Sequence, residues 1–367
     1  MFMAELAEDS EEDEEEEIEN IPRLSYETIN PLNVLSETAF KKHFRLNKEC
    51  FLSLLEEITP FVRARRRCKL ELKTKLLVTL LFYAHGSDQS ILGSSFFCDM
   101  SQSSVSRSIE EITNALTSRE IRFRRIRFPR NMRELSQRRA RFSEATHIPG
   151  SIGVIDCTHV AIIPPNDDQQ VFVNRKKYHS MNVQLICEEN CWIMNANPNF
   201  PGSSHNDYIW GKSDISGILQ QVYRENGGNF FLLGDSEYPL SPWLLTPLRN
   251  PSSEQEERFN NKFNSARSII ERCNRLLKNR FRCLLKHRVL RYQPKKAVAI
   301  ILACCVLHNI CVENHIEAPE EDEEFTNADL GIIKEGNNSL VERNPTAQND
   351  LRAARQLRQL IIENNFL

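Results

Sequence analysis

Residues 151–160 read SIGVIDCTHV: an apolar run from Ile152 to Ile155, and then an aspartate. Apolar residues continue to Ile163 and stop at Pro164-Pro165, so residues 152–163 predict a strand. Asp156 is then either a solvated strand end or one corner of a metal site, and the stretch alone leaves both open. SMNVQLICE (180–188) and WIMNANP (192–198) predict two more strands joined by a turn at Glu188–Asn190. Residues 213–224 predict a helix, and NFFLLGD (229–235) a fourth, buried strand that closes on Asp235. Residues 253–282 predict a long helix, with Phe259, Phe263, Ala266, Ile270, Cys273 and Leu277 forming its apolar stripe. A last apolar helix, about 295–314, follows Pro294. Strands, a helix, another strand and a long helix in this order predict an α/β layer fold.

Two strands thus end in an acid, and equivalent strand ends can aim side chains into one cleft. Glu271 sits on the long helix beside its apolar stripe. Arg267, Asn274, Arg275 and Lys278 share its side of that helix at i−4, i+3, i+4 and i+7. Three crowded carboxylates without a cation repel one another and hold on to protons. Hard divalent cations take oxygen ligands. Two of them together activate a water and stabilise the leaving oxygen of a phosphodiester. A lone acid among cations suits a cleft that admits a phosphate backbone. Salt bridges along the helix are the plainer reading, and in that reading Glu271 is outnumbered.

The 367 residues carry a formal charge of −3. That figure hides a division. Residues 5–19 hold eleven acids and residues 317–324 six more, with no Lys or Arg in either stretch, so the rest of the chain is strongly basic. A basic body points to a polyanionic partner. No secretory leader is expected from the acidic start, and no apolar run is expected to approach membrane length. Eleven scattered cysteines, an odd number, suit free thiols in a reducing compartment, cytosol or nucleus.

Upstream, residues 36–117 predict a helical domain. FLSLLEEITPFV and TKLLVTLLFYAHG have helical apolar spacing, the second closing on Gly86. In MSQSSVSRSIEEITNAL (100–116), Ser101 is the expected N-cap, and Val105, Ile109, Ile112 and Leu116 form one stripe. Ser103, Ser104 and Arg107 fall on another face and are candidate DNA contacts of a helix-turn-helix-like unit. The connecting segment 118–145 contains REIRFRRIRFPRNMRELSQRRAR (119–141), with ten arginines and two glutamates. Arg122, Arg124, Arg125 and Arg127 are its candidate phosphate contacts. RARRRCK (63–69) is a smaller patch. The expected organisation is an acidic disordered tail over 1–20, the helical domain, the Arg-rich connector and an α/β domain over 150–315. An acidic or polar loop (317–343) and a C-terminal helix (345–364) follow.

GVIDCTHV, NRKKYHSMNVQLIC, LLGDSEYPL, PWLLTPLRN, SARSIIERCNRLLKNRFRCL and AIILACCVLHNIC occur in this order, and together they resemble the PIF/Harbinger transposase superfamily. They look most like its animal branch, the transposase-derived nucleases. The resemblance spans roughly 70–315, and QSSVSR (102–107) matches that family's helix-turn-helix stretch. It implies an α/β, ribonuclease-H-like DDE catalytic domain behind an N-terminal helical domain. Asp156, Asp235 and Glu271 would be the catalytic, metal-holding triad, with Mg²⁺ or Mn²⁺ as cofactor. From their place around Glu271, Arg267, Arg275 and Lys278 are candidate DNA contacts. The implied activity is metal-dependent cleavage of DNA phosphodiesters, by a host-retained nuclease or an active transposase. The rival is a non-catalytic DNA-binding protein domesticated from a transposase. A separate Myb-like DNA-binding partner and a nuclear location are also implied, with the cytoplasm and self-association left open and no membrane partner expected. Three residues depart from the family pattern: Asn206 in PGSSHNDYIW stands where Asp is usual, and Glu237 and Arg275 stand where Gly is common. Ser236 in GDS has no evident base. Cys304, His308 and Cys311 share a helix face without a fourth zinc ligand and read as packing. His159 reads as structural, on the opposite strand face from Asp156.

Overall fold

The computed structural model describes residues 30–62, 70–95, 98–227, 230–319 and 345–366. The acidic tail, RARRRCK and the loop beyond Pro319 lie outside these residues. Short α1 (Pro31–Val34) is followed by α2 (Glu37–Phe44), α3 (Lys48–Ile58) and α4 (Leu72–His85). Next come α5 (Gln89–Gly93), the hairpin of β1 (Ser94–Ser95) and β2 (Cys98–Asp99), and α6 (Gln102–Leu116). α7 (Arg119–Arg125) and α8 (Met132–Thr146) complete the helical part. Five of these helices start on a residue whose side chain accepts a backbone N–H: Asn30 from Leu32, Ser36 from Ala39, Asn47 from Cys50, Ser101 from Ser104 and Asn131 from Glu134. The α5–α6 connection is the β1–β2 hairpin instead of the tight turn of a helix-turn-helix. Its base closes where Met100 N donates to Gly93 O, and a Cβ on Gly93 would collide with the Met100 carbonyl.

The sheet begins with β3 (Ser151–Ala161), β4 (Ser180–Cys187) and β5 (Ile193–Pro201), paired antiparallel. After α9 (Asn206–Gly211) and α10 (Asp214–Asn226), β6 (Phe231–Leu233) and β7 (Leu244–Leu245) add in parallel on the other side of β3. The strand order is β5-β4-β3-β6-β7. This mixed five-stranded arrangement fits a ribonuclease-H-like fold. α11 (Glu254–Arg280), α12 (Pro294–Glu313) and α13 (Pro345–Asn365) follow. One sheet face, with Val154, Val160, Leu185 and Leu233, packs in the same cluster as Ile270 and Leu277 of α11 and Ile301 of α12. The other face, with Ile155, Ile186 and Leu232, packs with Leu135 of α8, Trp210 of α9 and Ile215 and Leu219 of α10.

The upstream helices share the first of these clusters: Phe40, Leu76 and Ile109 belong to the same continuous core as Ile301. α12 joins the two parts. Contrary to expectation, it is 20 residues long and apolar enough to cross a membrane by length and composition. Here 72% of that apolar window is buried inside the fold. An apolar helix covered all round by protein is a core helix.

Buried Asn309 of α12 ties three parts together. Its Oδ1 accepts from Ile193 N at 2.8 Å, and its Nδ2 donates to Ile193 O at 2.8 Å and Arg125 O at 2.7 Å. Asn309→Ala leaves three backbone groups unpaired in the interior. We expect it to lower stability by about 3 kcal/mol in urea titration; a loss below about 1 kcal/mol would show that the clamp contributes little.

Candidate metal centre

Strand register brings two of the acids together. β3 pairs in parallel with β6, with Val154 opposite Leu233. Asp156 and Asp235 each lie two residues further on, and neighbouring strands are about 4.8 Å apart. β6 ends at Leu233, whereas β3 continues to Ala161 along β4. Asp156 is therefore not a strand end, as the sequence suggested. It lies in mid-strand, where β3 loses its β6 neighbour. Its carboxylate lies on the α11 face of the sheet, 8% exposed, with Oδ1 accepting Cys157 N at 2.8 Å. Asp235 begins a turn: its Oδ1 accepts Glu237 N at 3.0 Å.

α11 delivers the third acid. Arg267, Glu271, Asn274 and Lys278 succeed one another at helical spacing on one stripe. Contacts at both ends orient the stripe: Arg267 Nη2 stands 3.8 Å from Asp235 Oδ2, and Lys278 Nζ donates to His159 O of β3 at 2.6 Å. Glu271 lies between them and acts electrostatically on both aspartates. Burial pushes the Asp156 carboxyl up to about 7, reinforced by Asp235 and opposed by Arg267. Burial also raises Asp235, with Arg267 opposing. Asn274 is 1% exposed, and neither its Oδ1 nor its Nδ2 has a hydrogen-bond partner among the described residues.

This donor set fits a hard divalent cation in its chemistry: desolvated carboxylates holding protons against their usual tendency, with a buried amide oxygen on the same stripe. Asp156, Asp235 and Glu271 would hold such an ion. Among the described residues no three His, Cys, Asp or Glu side chains stand close enough to close a metal shell as they are.

Other expected residues fall elsewhere. Lys278 is corrected: it is fully buried, burial brings its ammonium down to about 7, and it cannot reach DNA. Arg125 is also corrected. It is clamped between Glu57 and Glu313, its side chain only 18% exposed. Arg124 joins the same Glu57 at 3.0 Å but is largely exposed. Arg127 and Arg107 are exposed, as is Ser103, whose carbonyl accepts Arg107 Nε at 3.2 Å. Ser104 and Arg122 are half-buried, the latter with its guanidinium 5.1 Å from the Phe123 ring centre, and Arg275 is exposed on α11. The Arg-rich segment thus supplies internal counter-charge as well as surface: Arg138 and Arg141 both meet the buried Glu188. His159 is structural, its Nδ1 bonded to Ser180 Oγ at 2.9 Å. His308 bonds Cys191 O and Arg280, and Cys311 donates to Arg45 O, so this trio is packing. Nine cysteines, from Cys50 to Cys311, are free.

Residues 155–309 match the family described as DDE superfamily endonuclease. HARBI1 proteins of Xenopus laevis, Homo sapiens and Bos taurus, all named as nucleases, are 35%, 37% and 38% identical to the chain. The alignments cover 68%, 67% and 67% of this chain and 70%, 68% and 68% of those relatives. The chain belongs to the Harbinger transposase-derived nuclease family. No solved structure matches it. Two residues singled out in the sequence touch near the site: Asn206 Nδ2 donates to Glu237 Oε2 at 3.0 Å. Glu237 thus stands two residues after Asp235 in the turn, tied to α9 through Asn206. Sequence reading noted both residues but had no means of pairing them.

The raised Asp156 carboxyl gives a pH test in chelator. Its folded value, about 7, lies above the ordinary 3.8, so the folded state binds the proton more tightly. Its contribution is therefore lost as pH rises from about 4 to about 7. Asp156→Asn, which carries no charge, should raise the melting temperature by about 5 °C at pH 8 and barely at pH 4. An equal change at both pH values would contradict the buried charge.

Proposed function

We propose that the chain is a metal-dependent DNA endonuclease whose triad is Asp156, Asp235 and Glu271. The observation that supports it most is the parallel β3–β6 register, which sets Asp156 and Asp235 side by side on the face covered by α11. Bound Mg²⁺ or Mn²⁺ would supply Lewis-acid polarisation of the phosphodiester and a water acidic enough to attack it. The chain's own residues do the rest. The three carboxylates hold the cations and relieve their mutual repulsion by doing so. Arg267 at the edge of the cluster neutralises Asp235 and offers its guanidinium to a phosphate entering there. Exposed Arg107, Arg124, Arg127 and Arg275 offer phosphate contacts. The proposal extends to a nuclear location, with cytoplasmic residence as well, and to a Myb-like DNA-binding partner, both on the family resemblance. Host-retained nuclease and active transposase share this chemistry.

A non-catalytic DNA-binding protein is the second reading. It is favoured by the absence, among the described residues, of a closed acidic shell.

Purified protein with Mn²⁺ or Mg²⁺ should nick supercoiled plasmid, and Asp156→Ala, Asp235→Ala and Glu271→Ala should each reduce the rate at least 100-fold while DNA binding persists. Mn²⁺ titration by calorimetry should show binding that the triple variant loses. Cleavage by the triple variant at the native rate would eliminate the triad. Binding without cleavage across many substrates would select the second reading.

A further inference from the structure

A second basic surface lies apart from the acids. α5 and the start of α6 face the segment after α11 across a cleft of about 790 Å³. That segment, KHRVLRYQPKK (286–296), has six Lys, Arg or His in eleven residues and no acid. Arg288, Arg291 and Lys296 line the cleft. The opposite wall presents neutral hydrogen-bonding groups, among them Gln102 and Ser106 of α6. The single acid among the lining residues is Asp88, whose Oδ1 is 3.4 Å from Arg291 Nη1. Both partners are exposed, at 77% for Arg291 and 54% for Asp88, so water and salt weaken their attraction. Tyr292 is held at the cleft wall: Gln89 Nε2 donates to its hydroxyl at 2.6 Å, its ring meets Phe82 edge-on, and Lys296 Nζ stands 4.7 Å from the ring centre.

This contrasts with the Arg-rich stretch of α7 and α8, where Arg124, Arg125, Arg138 and Arg141 all meet internal acids. Guanidinium groups with one exposed carboxylate between them are far better placed for external phosphates.

The cleft is also fixed relative to the acids. Leu290 N donates to Ala161 O at 3.0 Å, and Ile163 N donates to Leu290 O at 3.1 Å, so the basic segment is tied to the far end of β3. Asp156 lies on the same strand. Six residues of strand from Asp156 to Ile162 span about 20 Å. At about 3.4 Å per base step this is roughly six base pairs of duplex.

We propose that this cleft grips the phosphate backbone of duplex DNA about six base pairs from the bond presented to Asp156, Asp235 and Glu271. The placement of the scissile bond rests on the nuclease reading; the DNA grip does not. Arg288 and Arg291 bind phosphate oxygens, Gln102 and Ser106 add neutral donors, and Asp88 competes for Arg291 when DNA is absent.

The test is fluorescence anisotropy with a 30-base-pair duplex in EDTA, where binding is read without cleavage. R288E/R291E should bind at least 10-fold more weakly, with a salt slope shallower by about two. R288Q/R291Q, melting as the native protein does, should show an intermediate loss. D88N should bind two- to three-fold tighter. R352E/R355E, on exposed positions of α13, should stay within two-fold of native. The grip is overturned if R288E/R291E binds within two-fold of native. It is equally overturned if R352E/R355E loses as much, or if the native protein shows no salt-dependent duplex affinity. Loss of affinity in R288E/R291E together with no metal-dependent plasmid nicking by the native protein would sink the nuclease reading and leave the grip standing.

Discussion

The parallel pairing of β3 with β6 is the constraint on which the centre depends. Asp156 and Asp235 are separated by about half of the α/β domain along the chain, and only the register Val154↔Leu233 sets them level. A one-residue slip would turn either aspartate to the opposite face. The register is held by burial: Val154 and Leu233 are inaccessible on one face, and Ile155 and Leu232 on the other. A slip would exchange both sets of side chains between two differently shaped cores. The specificity of packing thus sets the position of charges that packing alone would exclude.

The arginines show how the same side chain serves two ends. Glu188 at the end of β4 is buried, and an unpaired carboxylate there would be costly. Arg138 and Arg141 of α8 meet it. Glu57 of α3 is met by Arg124 and Arg125 in the same way. The Glu188 pairs fasten the helical part to the sheet, and Arg125 with Glu313 fastens it to α12; Arg125 and Arg138 are thereby withdrawn from the surface, while Arg124 and Arg141 stay exposed. The basic excess of the body therefore overstates what is available to a polyanion, and the exposed cations that remain become more informative about where one binds.

Much of this was legible in the sequence, because burial leaves a local period. The α11 stripe from Phe259 to Leu277 and the α6 stripe from Val105 to Leu116 are buried as their spacing requires, and Ser101 caps α6. Depth was not legible. Spacing puts Lys278 on the side of Glu271, but only the covering β3 makes one end of that side interior and leaves Arg275 exposed. Strand ends were illegible where partners set them: the apolar run before Asp156 looks terminal, yet β4 continues to pair through Ala161↔Ser180. Two-residue β7 has no periodic signal of its own and exists because β6 offers Leu232 and Leu233 as partners. The Asn206–Glu237 contact joins α9 to the turn after β6, a pairing no local pattern encodes.

α11 carries two stripes with different demands, and they are coupled. Ile270, Cys273 and Leu277 fix the helix against the sheet, so Glu271 cannot move without disturbing that core. α13 reinforces the arrangement from outside. Phe366 packs edge-on against Phe259 of α11, with ring centres 5.5 Å apart, while Arg358 donates to Thr246 O at 2.9 Å, just after β7. β7 in turn supports β6, which leads into Asp235. One C-terminal helix thus braces the elements that carry Glu271 and Asp235. Like-charged acids held on separate elements would otherwise drift apart to relieve their repulsion. Bracing those elements from behind opposes that drift.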